Sequence, residues 1–224
     1  MREVLSHQES PYSMDKVTIE ALSSPHPDTK RFQLNYPFEL QGRGESNPET
    51  GEIIVRFPKG DVFLSYVTTI HELGHPRQEE INPKLAEPAL DSGPDVLAEE
   101  DAWQRGWDRF SRANQEVLKD LEQRLQNYKE QGKLQEFGSF QQLYNYVRDC
   151  AGRAVEAQRE LFDKTGHQIS DLNEAEKRQL ENLFERIGWS EFIQQYESAR
   201  VGEDINEQEA RQAILKTVEL IIAE

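Results

Sequence analysis

A single cysteine, Cys150, stands in 224 residues, so neither an intramolecular disulfide nor a Cys-x-x-Cys metal knuckle is available. The fold was not built around an oxidising compartment. No apolar run approaches the roughly 20 residues needed to span a bilayer, and the opening MREVLSHQES lacks the apolar segment of a secretory signal. The expectation is a cytoplasmic chain with no membrane partner. Positive charge is scarce: 26 Lys and Arg face 42 Asp and Glu, for a net charge of −16. An acidic surface repels phosphate backbones and anionic headgroups, so no broad nucleic-acid surface is expected. No GxGxxG or Walker pattern marks a nucleotide site. The remaining composition, 36% hydrophobic and 30% charged, is that of a water-soluble globular chain long enough for one sizeable core.

Composition shifts near residue 60. Before it, KVTIEAL (16–22), RFQLNYPFEL (31–40) and EIIVRFP (52–58) are rich in β-branched and aromatic residues and separated by turn formers, which predicts a small antiparallel sheet. GRGESNPETG reads as the hairpin loop between the second and third strands, with Asn47-Pro48 starting a turn and Gly51 free to take positive φ. GDVFLSYVTTIHELGH then changes to helical spacing, with Asp61 a plausible N-cap and Leu64, Val67, Ile70 and Leu73 on one stripe. Residues 76–95, with four prolines, read as an irregular loop. Helices follow over 97–112, 113–131, 139–163, 173–187 and 206–222, with a further candidate at 190–199. Asn173 with Glu176 and Asn206 with Glu209 have capping-box spacing. The fold class is therefore α+β: a core over 1–112 built on the small sheet and the first helices, then a helical region over 113–224 that covers or extends it.

Within TTIHELGHPRQ, His71 and His75 lie four apart on the helix, so both imidazoles leave one face and can reach one tetrahedral metal. Glu72, beside His71, is offset to hold a water rather than to ligate. The histidines extend the apolar stripe inward, where unpaired imidazoles are costly. Gly74, a poor helix former, marks a close approach of another segment. Pro76 cannot donate to the Glu72 carbonyl and disfavours helix at the residue before it, so the helix should end or kink at His75. There the negative end of the helix dipole favours a cation. A third ligand is expected from DVLAEEDAWQRGW: Glu99, with Ala102 three residues on allowing close packing of the two helices, or in reserve Glu100.

HELGH followed after an interval by EEDAW resembles the gluzincin clan of zinc metallopeptidases, and in size and order the ImmA/IrrE-type proteins and minimal gluzincins. The resemblance covers about residues 50–108. It implies that His71, His75 and Glu99 hold Zn2+, that Glu72 takes a proton from the attacking water and returns it to the leaving amine, and that Glu52 to Phe57, with Ile53, Ile54, Val55 and Arg56, binds extended substrate as an added strand. Two features depart from the clan. Trp103 stands where an aspartate often supports a zinc histidine, and no marked position supplies an oxyanion donor; Tyr144, Tyr146 and His167 are the candidates. The implied activity is hydrolysis of peptide bonds in a restricted protein or peptide substrate. The alternative is a zinc-binding regulatory or interaction module with little turnover, its helical region serving a partner. A metal-free helical interaction protein is the third reading. Trp103 and Trp107 read as core packing, His7, His26 and His167 as surface residues, and Cys150 as no nucleophile, having no histidine near it in sequence.

Overall fold

The computed structural model describes residues 10–22, 42–85, 95–167, 171–186, 188 and 204–224. Three strands, β1 (Val17–Leu22), β2 (Arg43–Asn47) and β3 (Glu52–Pro58), form one sheet in the order β1-β3-β2. The antiparallel expectation holds only for β2 and β3. β1 runs parallel to β3, with Val17 opposite Ile53. Parallel neighbours need a connection of about a dozen residues or more, and the 29 residues between β1 and β3, which include β2, exceed that. The strand expected within 31–40 lies outside the described residues. Strand β2 instead falls in the stretch read as loop: its RGESN composition is poor in β-formers, and pairing with β3 overrides that preference. The turn itself is as expected. Asn47 Oδ1 accepts from the Glu49 and Thr50 N–H groups, and Gly51, at φ 72°, donates to Asn47 O at 2.8 Å.

The helices are α1 (Val62–Glu72), α2 (Gln78–Ile81), α3 (Val96–Ala113), α4 (Gln115–Glu130), α5 (Phe140–Thr165), α6 (Glu174–Arg186) and α7 (Glu207–Ala223). Five of these match the expected helical segments after residue 96 to within two residues, the scatter normal for helix ends. Their caps are those the sequence marks. Asp61 accepts from Phe63 and Leu64 N–H, and Asn206 from Gln208 and Glu209 N–H. Asn173 accepts from Ala175 and Glu176 N–H while Glu176 accepts from Asn173 N–H, a reciprocal box. The irregular loop after His75 holds the short α2 and a single 3-10 turn at Pro83–Leu85; residues 86–94 and the 190–199 helix candidate lie outside the described residues.

Helix α1 is buried on nearly every side, from Val62 to Glu72, and so forms the centre of the molecule. Strand β3 packs on it through Ile53, Val55 and Phe57. On its other side α3 crosses at contact distance: a Cβ on Gly74 would fall 1.9 Å from Ala102 O, and one on Gly106 1.9 Å from Ile70 O. Gly74 thus answers to the close approach predicted from sequence. α5 and α7 pack against α3, and one hydrophobic cluster runs from Tyr12 through Trp103 and Leu143 to Ile221. Among the described residues, buried side chains from both sides of residue 112 belong to that one cluster. Asn114, between α3 and α4, donates to Ala213 O and Thr217 Oγ1 of α7. No helix among the described residues is long and apolar enough to cross a membrane.

Candidate metal centre

The Pro76 stop acts earlier than expected. Regular helix ends at Glu72, and the chain tightens into i→i−3 bonds, Gly74 N–H to His71 O (2.8 Å) and His75 N–H to Glu72 O (3.3 Å). His75 takes the carbonyl that proline cannot serve. The tighter turn still brings the imidazoles together, with Nε2 of His71 and Nε2 of His75 3.2 Å apart. Glu99, in the first turn of α3, places Oε2 3.2 Å from His71 Nε2. These three ligand atoms all lie within 4.8 Å of one another. In a tetrahedral site with bonds of roughly 2.0–2.1 Å, neighbouring ligand atoms are about 3.3–3.4 Å apart, so the set fits a zinc ion in size and donor type. Glu100 is exposed and stands outside the cluster.

The surroundings orient the ligands unequally. The Trp103 ring stacks on His71 at 4.3 Å and 27°, so it supports the histidine by its face rather than by a hydrogen bond. His71 Nδ1 is buried with no partner among the described residues. His75 Nδ1, in contrast, meets Gln78 Oε1 at 3.3 Å. Behind both, Arg109 is wholly buried and donates through Nη1 to the Leu73 and Gly74 carbonyls at 2.8 and 3.1 Å. Its Nε also donates to Glu224 Oε2 at 3.1 Å. The carbonyls at the helix end are thus held by a guanidinium.

Burial opposes a charge on His71, but the hydrogen bond to Glu99 and the negative charges of Glu72 and Glu99 outweigh it and raise its pKa. His75 is pushed down to about 4 by burial and by the neighbouring His71 charge. Burial also works against the Glu99 carboxylate, yet its contacts with His71 and His75 hold its pKa below the usual value. Glu72 is nine-tenths buried, and burial raises its carboxyl from 4.5 to about 7. Glu99 adds to the rise; His71 and a hydrogen bond from Gly44 N–H oppose it.

A carboxyl that holds its proton more tightly folded than unfolded contributes stability below its unfolded pKa and loses it as pH rises through the folded one. For Glu72 that window runs from 4.5 to about 7. Glu72→Gln should therefore stabilise the metal-free chain by about 2–3 kcal/mol at mildly alkaline pH, and by little at acidic pH. Urea unfolding at the two pH extremes checks this; an equal gain at both would assign the effect to packing instead.

The strand assigned to substrate does not have the required edge. Strand β3 is central, paired to β1 on one side and β2 on the other, so Ile53, Ile54, Val55 and Arg56 cannot accept an added strand; Ile53 and Val55 are also buried in the core. The strand that touches the site is β2. A Cβ on Gly42 would lie 2.3 Å from Glu72 Cγ and one on Gly44 1.7 Å from Glu72 O. The two glycines let the backbone pass directly over the carboxylate, a role hidden in a stretch read as loop.

The oxyanion candidates lie elsewhere. Tyr144 is buried and donates to Trp103 O at 2.6 Å, Tyr146 packs its ring on Phe137, and His167 pairs with Glu176. Trp107 packs on Phe140 and Tyr144, completing the aromatic layer behind the site. Cys150 is buried, its thiol raised by that burial. His7 and His26 lie outside the described residues. Glu99, whose side chain is 35% exposed, also borders a cleft of ≈ 700 Å³ together with Leu85, Leu97, Trp103, Gly152 and Arg153. Sequence reading missed Gln78, Asp101, Arg109 and the Gly42–Gly44 pair. Of these, only Gln78 carries a local signal that could have found it, its position three residues beyond His75. Comparison with protein-family models, curated proteins and solved structures finds no match for this chain.

Proposed function

We propose that the chain is a zinc-dependent peptidase in which His71, His75 and Glu99 hold the ion and Glu72 is the general base. The observation that carries this reading is the convergence of two imidazole nitrogens and one carboxylate oxygen from two helices, beside a buried carboxyl titrating at about 7. A zinc ion bound there supplies a Lewis acid that polarises the scissile carbonyl and acidifies water. Glu72 accepts the proton of the attacking water and delivers it to the leaving amine; a base poised near neutrality suits both transfers. Extended substrate adds to the outer edge of β2, which pairs with β3 on one side and has Gly44 N–H beside Glu72. The covered base restricts entry, consistent with a narrow choice of protein substrate in a cytoplasmic setting.

A second reading, a zinc-binding regulatory or interaction module with little turnover, is favoured by the Gly44 contact that already engages Glu72 and by the other bonds of Tyr144 and His167. Glu72→Gln separates the two. Zinc-loaded chain and variant are incubated with a mixture of unstructured peptides and new termini are read by mass spectrometry. The peptidase reading expects cleavage by the parent, a loss of about 10²–10⁴-fold in the variant, and zinc in both. Zinc in both with no cleavage by either supports the module.

A further inference from the structure

Resting on the zinc reading, we propose that Gln78 is a positioning residue that fixes the ring of His75 with hydrogen on Nδ1 and the lone pair of Nε2 turned to the metal. Gln78 is buried, 6% exposed. Its Nε2 donates to Ala98 O at 2.5 Å and to Asp101 Oδ2 at 2.9 Å. Both partners only accept, so the amide nitrogen must face them and Oε1 must face the imidazole. An oxygen at 3.3 Å from His75 Nδ1 then requires the hydrogen on that nitrogen. Nε2, towards His71 and Glu99, keeps its lone pair.

Two further observations show that this arrangement is built. Arg77, just before Gln78, has a left-handed backbone (φ 61°), a conformation that costs a non-glycine residue free energy and recurs at functional turns. It is held there from two directions: its N–H donates to Ser46 Oγ of β2 at 2.6 Å, and its guanidinium to the Ile221 carbonyl of α7 at 2.9 Å. Asp101 is in turn held by Arg105 at 3.1 Å. Because Ala98 and Asp101 flank Glu99 on α3, Gln78 also ties the turn carrying His75 to the helix carrying the third ligand. His71 has no equivalent, its Nδ1 being without a partner among the described residues.

The test is a two-bond proton–nitrogen NMR correlation of the histidine rings in the metal-free chain at neutral pH, with zinc affinity measured against a chromophoric chelator. The parent should show His75 as the Nδ1–H tautomer. Gln78→Met, which keeps volume but offers no carboxamide oxygen, should show a tautomer mixture at His75 and a zinc affinity lower by about 10–100-fold. His75 found with hydrogen on Nε2 in the parent overturns the proposal without any variant. An unchanged tautomer and affinity in a folded Gln78→Met also overturns it. A parent with the expected tautomer, lost in Gln78→Met, but with no affinity for zinc supports the positioning role while removing the zinc reading.

Discussion

Metal analysis of the purified chain should return about one zinc per molecule, retained in Glu100→Ala and lost in Glu99→Ala. The two acids are sequence neighbours, but successive helix residues point about 100° apart. Only Glu99 reaches the histidines, with Oε2 3.2 Å from His71 Nε2. Losing one of three protein ligands should weaken binding by more than the roughly 10–100-fold that follows loss of an outer partner, so Glu99→Ala should emerge from a desalting column without metal. Glu100→Ala should be indistinguishable from the parent. Affinity must also fall with acidity, because zinc binds unprotonated imidazoles and an ionised carboxylate. Absence of zinc from the parent even after incubation with the ion would refute the site; equal loss from both variants would point to damage at the start of α3.

Replacing Arg109 by Met should cost about 3–4 kcal/mol of stability, the largest effect expected outside the ligand set. The guanidinium is wholly buried and its Nη1 serves the carbonyls of Leu73 and Gly74. Methionine fills part of the volume but leaves both carbonyls buried without a donor. It also removes the main partner of Glu224, whose side chain is 24% exposed, so water recovers part of that loss and the figure stays below the top of the range for a broken buried pair. Glu224→Gln keeps an acceptor and should cost less. Urea unfolding with an unchanged m-value measures both. Since the two carbonyls lie between His71 and His75, Arg109→Met should also weaken zinc binding. A cost under about 1 kcal/mol would mean that solvent replaces the guanidinium at the helix end.

Local interactions act between residues close in sequence, and they made much of the molecule legible in advance. The buried helix with its Asp61 cap, the Asn173 and Asn206 starts and the Gly51 turn depend on nearby backbone groups. So does the convergence of His71 and His75, because helical spacing alone puts two imidazoles on one face. Even the close approach at Gly74 was readable, since a helix-breaking residue within a buried helix needs a reason.

What could not be read depends on partners distant in sequence. Strand order was one case: β3 has the composition of a substrate strand, but pairing on both sides takes away its edge, and the polar β2 takes the place beside Glu72. Choosing Glu99 over Glu100 required the rotation of α3 against α1. Arg109 and Glu224 meet across about half the length of the chain, and no periodicity announces such a pair. Chain-local periodicity and capping were thus enough to determine the helices and the candidate ligands, whereas tertiary packing decided the strand edge, the surroundings of each ligand and the clamp behind the helix, because burial and hydrogen-bond partners exist only once distant segments are brought together.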